Sequence, residues 1–459
     1  MALDSRRARD LRVPPGALVI CYSFALLASL AIRPLWLDEV LELLGTTSPS
    51  VESLIRWVLV NPGGVPLGYL TERPFVLAGG PSAFWARFPS ALFSAASCWL
   101  IVILCRELKL SRTATLLAAG IFMVLPAQFR YATEARPYSE ALCFVLVAMV
   151  AIARWASQPS FGFLYLFVPA MVAALYTQPF TVFAACGLVA WTAASGFLRG
   201  ERWRAAVPPA CLCASLLMFL PWYLFSSRQW DSSIEQSGYP KFHWTLGLAE
   251  DVLKGISGGA FLCSLIFLLL VAIGARSGSR EIRGLLLSCA SFALVGALAT
   301  DAWKNYFFAS RQILFAVPAL AIIAAAGLEK ALRRSKLLGI AVGGTLLIAS
   351  LQKDTTMQIN AKENWSAAAN ALAQVSRDGY CVKMAGGEPG GVAMYSVFVP
   401  NLASGLCGDF ARQSKVALVS NIATSTTALN ASKEELRGLG FVREKTMAVG
   451  GTTIEIETR

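Results

Sequence analysis

Apolar stretches of about 17–25 residues recur along this chain as far as residue 351, and no other feature constrains its fold as tightly. Hydrocarbon offers no hydrogen-bond partner, so a backbone that crosses it must satisfy its own amides in a helix or a closed barrel, and runs of this length are helical. Of the 459 residues 56% are hydrophobic and 15% charged, whereas soluble domains carry about a quarter charged residues. The expected fold is therefore a polytopic α-helical membrane protein. Its spans, about eleven in number, are read at 16–33, 82–105, 112–127, 137–155, 160–177, 178–198, 206–226, 256–275, 283–300, 311–327 and 336–351. Arg6, Arg7, Arg9 and Arg12 give the first span the look of a signal peptide. No small-residue cleavage site follows it and many spans do, so it is read as retained.

The net charge of +12 invites a nucleic-acid partner. Its placement argues against one. Basic clusters fall in alternate connections: Arg106/Lys109/Arg112, Arg199/Arg202/Arg204, Arg276/Arg280/Arg283 and Lys330/Arg333/Arg334/Lys336. With the N-terminal arginines they make the positive-inside pattern, which predicts a cytoplasmic N-terminus in a multi-pass membrane protein. An odd number of spans then puts the C-terminal tail on the opposite face, with segments 34–81, 127–136, 227–255 and 301–310.

The first outer segment, 34–81, contains the amphipathic run Val51 to Val60, a Gly/Pro break and a second short apolar run at 67–78. Both runs are expected to be helices lying in the membrane surface. In residues 352–459 the apolar runs shrink to strand length (380–384, 416–419, 447–449, 453–456) and alternate with helical stretches at 364–375 and 432–439. Gly450-Gly451 between the last two strands is a hairpin signal. The expected organisation is a membrane module over 1–351 and a small α/β extracytoplasmic domain over 352–459. Nine of the eleven cysteines lie in or next to apolar spans, where a thiol behaves as a small hydrophobe. Cys381 and Cys407 are alone in the tail, and in an exported region such a pair reads as a disulfide. Two buried free thiols are the alternative.

Three outer-face segments gather chemistry. Asp38-Glu39 follows the first span, and carboxylates at a membrane boundary are a functional-site hypothesis unless they are merely solvated. Arg130-Tyr131-Ala132-Thr133-Glu134-Ala135-Arg136-Pro137-Tyr138 packs two arginines, a carboxylate and two tyrosines at the mouth of a span. The guanidinium fork suits phosphate. An interfacial Arg/Tyr belt, with Arg136 paired to Glu140, is the bland alternative. The third segment, Thr300 to Gln312, adds the cations Lys304 and Arg311. His243 is the only histidine, so neither a Ser-His-Asp triad nor a multi-histidine metal site is expected. There is no Walker or Rossmann glycine motif and hence no sign of a soluble nucleotide cofactor.

The opening of the second span, Phe84-Trp85-Ala86-Arg87-Phe88-Pro89-Ser90-Ala91-Leu92-Phe93, follows one span, an acidic pair and surface helices. Glu134-Ala135-Arg136-x-Tyr138 begins the fourth span, and Ser310-Arg311-Gln312-x-Leu314 precedes Pro318. In these motifs the chain resembles the GT-C superfamily of membrane glycosyltransferases, in its protein-mannosyltransferase, ArnT-like and Rgt-type bacterial group. The resemblance covers most of residues 1–330. It departs at Asn61 to Tyr69, where the family often has a histidine, and at Gln312, where it often has a tyrosine.

The resemblance implies transfer of a hexosyl or pentosyl group from a polyprenyl-phosphate donor to a lipid or envelope-glycan acceptor at the outer face, with inversion. It implies Asp38 and Glu39 as the catalytic acids and Arg136, Arg311 and Lys304 around the donor phosphate. Glu134, Tyr138, Arg87 and Tyr69 are implied as weaker substrate contacts. The sequence leaves a divalent metal and the oligomeric state open. Two other classes use the same cations: a flippase-like lipid or polyisoprenoid transporter, and a non-catalytic membrane scaffold. Neither accounts for an acidic pair on the same face, and proton-coupled transporters usually carry charges in mid-helix that are nearly absent here.

Overall fold

The computed structural model describes residues 14–459 except 61–63, 161, 237–241, 258–260, 306–308, 362, 386–388, 401, 403–409 and 423. For 60, 228–236, 256–257, 389–390 and 410 it describes the backbone alone. In chain order the helices are α1 (Pro15–Ser29), α2 (Leu37–Thr46), α3 (Val51–Val60), α4 (Pro66–Gly79), α5 (Ala83–Glu107), α6 (Arg112–Val124), α7 (Pro126–Ala132), α8 (Tyr138–Ser157), α9 (Gly162–Thr177) and α10 (Thr181–Leu198). There follow α11 (Arg202–Gln236), α12 (Leu246–Ser257), α13 (Phe261–Gly274), α14 (Arg280–Lys304), a 3₁₀ turn (Ser310–Ala316), α15 (Val317–Arg334) and α16 (Lys336–Ile359). The C-terminal part runs α17 (Trp365–Arg377), β1 (Cys381–Met384), α18 (Pro389–Ser396), β2 (Lys415–Asn421), α19 (Thr426–Gly438), β3 (Val442–Val449) and β4 (Thr452–Thr458).

Among the described residues seven helices are long and apolar enough to cross a membrane, or eight if the bent pair α6 and α7 is one span. Three predicted spans coincide with the shorter apolar helices α1, α9 and α13, of 15, 16 and 14 residues. Of the eleven spans expected, seven or eight are thus helices of spanning length among the described residues and three are shorter apolar helices. The short ones rise only about 21–24 Å, against a hydrocarbon core of ~30 Å. Exposed Leu217, Leu224 and Phe225 on α11, and Leu337, Ile340 and Ile348 on α16, suit a lipid-facing surface. The span from Ser310 to Arg334 is the most buried of those helices, with 89% of its apolar window buried. Pro126 follows α6 after the single residue Leu125, and the chain bends there by 62° because proline cannot continue the hydrogen-bond ladder. The bend sets off the short α7, which carries Gln128, Arg130 and Tyr131.

By contacts the chain forms two compact units. One comprises residues up to Ser29, Arg56–Gly68 and Arg87–Met357; the other comprises Leu30–Ile55, Tyr69–Ala86 and Gln358–Arg459. The division differs from a single cut at residue 351, because Leu30–Ile55 and Tyr69–Ala86 group with the tail.

Within the first unit, α13 and α15 meet through Gly274 and Gly327. A Cβ on Gly327 would overlap the Leu270 carbonyl, and one on Gly274 would overlap that of Ile323. In lipid there is no hydrophobic force between helices, so association leans on close backbone approach at small residues. Gly327→Leu is expected to force these helices apart. In detergent, the variant should lose most of its monodisperse peak on size exclusion, or melt at least several degrees lower. An unchanged profile would contradict the packing.

The second unit holds a four-stranded sheet in the order β1-β2-β4-β3. β1 and β2 are parallel, and β4 is antiparallel to both β2 and β3. The hairpin between β3 and β4 turns on Gly450 and Gly451, both at positive φ, where glycine carries no Cβ penalty. Val416 and Leu418 of β2 pack with Leu436 of α19 and Phe441. Cys381 at the start of β1 is disulfide-bonded; Cys407 lies outside the described residues. Nine other cysteines are free thiols.

Candidate active site

In the membrane unit three separate stretches of sequence converge. The Ser90 hydroxyl on α5 donates to the backbone carbonyl of Arg136 at 3.0 Å. The Tyr131 hydroxyl meets Ser310 Oγ at 3.1 Å. Ser90, the 130–138 segment and the 310–312 turn therefore belong to one constellation, although up to 179 residues separate the bonded partners.

The arginines have different surroundings. Arg130 Nε donates to the buried Glu134 carboxylate at 2.8 Å, so Glu134 serves the local fold first. Arg136 is half-buried, and its guanidinium lies 5.6 Å from the ring centroid of Tyr138. Its Nη2 donates to the Tyr138 hydroxyl at 3.3 Å. Tyr138 stands edge-on to Tyr131, with centroids 5.0 Å apart. Cation–π contact of this kind contributes about 0.5–2 kcal/mol. Its larger effect here is to fix the plane of the guanidinium fork.

Arg311 is half-buried in the 3₁₀ turn and within electrostatic reach of Asp301 at the end of α14. Gln312 closes that turn. Its side-chain oxygen accepts from Ala309 N–H at 2.8 Å, and its amide donates to Asp301 Oδ1 at 2.8 Å. Lys304 is exposed in the last turn of α14, with its ammonium 5.1 Å from the Trp303 centroid. Arg87 is wholly buried on α5, at 0% exposure.

In the second unit the acidic pair opens helix α2. Leu37, Asp38 and Glu39 are its first three residues, with Trp36 extended before them. Glu39 is 0% exposed, and its carboxylate accepts the Trp36 N–H at 3.2 Å, satisfying one of the orphan donors at a helix start. Asp38 is half-buried. The Arg73 guanidinium, on α4, holds the far end of α2 by donating to the Thr46 and Ser48 carbonyls at 2.8 and 2.7 Å. Tyr69 is nearly buried on α4. Among the described residues no group of three or more His, Cys, Asp or Glu is placed to hold a metal ion.

No protein-family model and no curated protein matches this sequence. Solved structures do. ArnT from Cupriavidus metallidurans in the apo state is 13% identical, with 96% of this chain and 97% of that chain covered and a TM-score of 0.62. The chain has the GT-C fold. The same ArnT bound to undecaprenyl phosphate is 12% identical over 96% and 97% of the two chains, with a TM-score of 0.65. The archaeal oligosaccharyltransferase AglB from Archaeoglobus fulgidus, in complex with an inhibitory peptide and a dolichol-phosphate, is 10% identical, with a TM-score of 0.53 over 79% of this chain and 58% of that chain. At these identities the likeness concerns the GT-C fold, and the roles of individual residues rest on the chemistry above.

Sequence reasoning did not single out Ser310, Ser90 or Asp301. The two serines stand inside the quoted motifs, but serine beside a span carries no signal of its own. Gln312 departs from the family pattern, and its two hydrogen bonds give it a loop-closing part.

Proposed function

We propose that this chain is a membrane glycosyltransferase that moves a hexosyl or pentosyl group from a polyprenyl-phosphate donor to a lipid or envelope-glycan acceptor at the outer face of the bacterial inner membrane. The observation that carries this reading is the convergence of the Ser90, Arg136 and Ser310 segments in a GT-C fold. The undecaprenyl phosphate bound by ArnT and the dolichol-phosphate in the AglB complex support a polyprenyl-phosphate donor.

In the proposed reaction the acceptor hydroxyl oxygen attacks the anomeric carbon from the face opposite the phosphate. The carbon–oxygen bond to phosphate breaks, polyprenyl phosphate leaves with that electron pair, and the configuration inverts. Asp38 takes the acceptor proton. Arg136 and Arg311 hold the phosphate oxygens and offset the charge that grows on them, with Lys304 contributing at longer range. An ionised aspartate is a weak base, so positioning and electrostatics supply much of the acceleration. In this reading Glu39 is the second catalytic acid, and Glu134, Tyr138, Arg87 and Tyr69 are weaker substrate contacts. Release of undecaprenyl phosphate together with labelled acceptor, by purified protein, tests this reading.

The orientation follows from the basic connections. With the N-terminus in the cytoplasm, single cysteines introduced at 242–255 or 424–438 should react with an impermeant maleimide in intact cells, and one at 335 should not. Labelling at 335 alone would put the acidic pair on the cytoplasmic face and remove the proposed acceptor side.

A further inference from the structure

The helix that carries the acidic pair is tied at its first amide to a residue of the C-terminal segment. Leu37 N–H donates to Glu363 Oε2 at 2.8 Å, across 326 residues of sequence. The same oxygen accepts the indole N–H of Trp365 at 2.8 Å. Glu363 lies on the stretch that leads from α16 into α17, and everything it touches here belongs to the second compact unit.

That stretch is itself held firmly. Trp365 is 1% exposed and packs against Tyr395, with ring centroids 5.2 Å apart. Tyr395 meets Thr452 Oγ1 of β4 at 2.9 Å, and its hydroxyl accepts from Asn421 Nδ2 of β2 at 3.3 Å. Burial pushes the Tyr395 hydroxyl up from its ordinary pKa, against the pull of those two hydrogen bonds, so it stays a neutral hydroxyl. Asn364 N–H donates to the Gly450 carbonyl at 3.0 Å, and a Cβ on Gly450 would collide with the Asn364 carbonyl. Sheet, hairpin, tyrosine, tryptophan and carboxylate thus form one continuous run of contacts ending on the amide next to Asp38.

We propose that Glu363 is the positioning residue for Asp38, so that the C-terminal domain sets the aim of the acid on α2. This rests on the reading of Asp38 as the base. Glu363 touches neither reactant in that reading. It acts because the first N–H of a helix has no partner in its own helix, and an unanchored first turn frays. A charge-assisted bond to a carboxylate is short and directional. A shift of about 1 Å at a reacting group costs on the order of 10²-fold.

The test uses full-length protein and transfer from undecaprenyl-phosphate [14C]hexose and [14C]pentose to envelope lipid, with binding of undecaprenyl phosphate measured separately. Glu363→Ala should lower kcat roughly 10–100-fold and leave undecaprenyl phosphate affinity within about twofold. Glu363→Gln should recover most of kcat, because its amide oxygen still accepts both N–H groups.

Leu37→Pro separates positioning from folding. Proline suits the first helical position, and Trp36 before it is already extended, at φ −104° and ψ 173°. The substitution removes the donor to Glu363 and should lower kcat as Glu363→Ala does. The double variant should be no worse than either single one, since both break the same bond. Wild-type kcat in Leu37→Pro overturns the proposal, whatever Glu363→Ala does. Asp38→Asn in the same assay tells the two failures apart. If it is inactive while Leu37→Pro is normal, only the positioning role falls; if it too is active, the base assignment falls.

Discussion

Asp38→Asn is expected to lower sugar transfer by roughly 10²–10⁴-fold while undecaprenyl phosphate still binds. Asparagine has nearly the same shape and cannot take the acceptor proton. The substitution also removes a charge from the first turn of α2, where a carboxylate is favoured by the helix dipole by about 0.3–1 kcal/mol. Undecaprenyl phosphate binding retained by the variant shows that it is folded, so inactivity alongside that binding reports chemistry. Glu39→Gln separates the two acids. Glutamine at the third helical position can still accept the Trp36 N–H, so the helix start survives. Turnover should then stay within about tenfold of wild type. Loss of activity in Glu39→Gln with retention in Asp38→Asn would exchange the roles. Retention in both would leave the acids with a structural part alone.

The second large effect is expected at Arg136. Its guanidinium is laid over Tyr138, and its main-chain carbonyl accepts from the Ser90 hydroxyl. Lysine keeps the charge and loses the planar fork of donors. We expect Arg136→Lys to lower turnover by about 10²–10³-fold, the scale seen when one preorganised donor to a developing anion is removed. Undecaprenyl phosphate affinity should fall along with it. The Ser90 bond uses the backbone of residue 136 and is untouched, so the variant should fold. Near-wild-type turnover at equal expression would take Arg136 out of the phosphate site.

The membrane body was legible because hydropathy is a one-dimensional signal. Runs of adequate length mark spans whatever they pack against, and the structure places an apolar helix at each predicted one. The tail strands and the Gly450-Gly451 hairpin were legible for a similar reason, since alternation and turn chemistry are local. Helix α2 was not. Its residue before the first turn is Trp36, so the Ser, Thr, Asp or Asn that announces a helix start is missing, and the bond from the Trp36 amide to the Glu39 side chain takes that place. Helix α12, inside the loop read at 227–255, also went unpredicted: it is amphipathic and too short to cross a membrane.

The candidate site was legible only in part. Arg136 and Arg311 came from motif positions next to spans. The bonds that join those motifs, Ser90 to the carbonyl of Arg136 and Tyr131 to Ser310, run between residues with no sequence periodicity in common. Glu363 is the extreme case, because its partner is 326 residues away and nothing near it marks it out.

The measurement that bears most directly on the account is sugar transfer by the purified full-length protein in lipid nanodiscs. Undecaprenyl-phosphate [14C]hexose and [14C]pentose would be supplied with envelope lipid as acceptor, with and without Mg²⁺. The account predicts label on the acceptor, release of one undecaprenyl phosphate for each sugar moved, and neither in Asp38→Asn. Undecaprenyl-phosphate sugars that bind but stay intact across the whole panel, or that cross sealed vesicles with the sugar–phosphate bond unbroken, would contradict it.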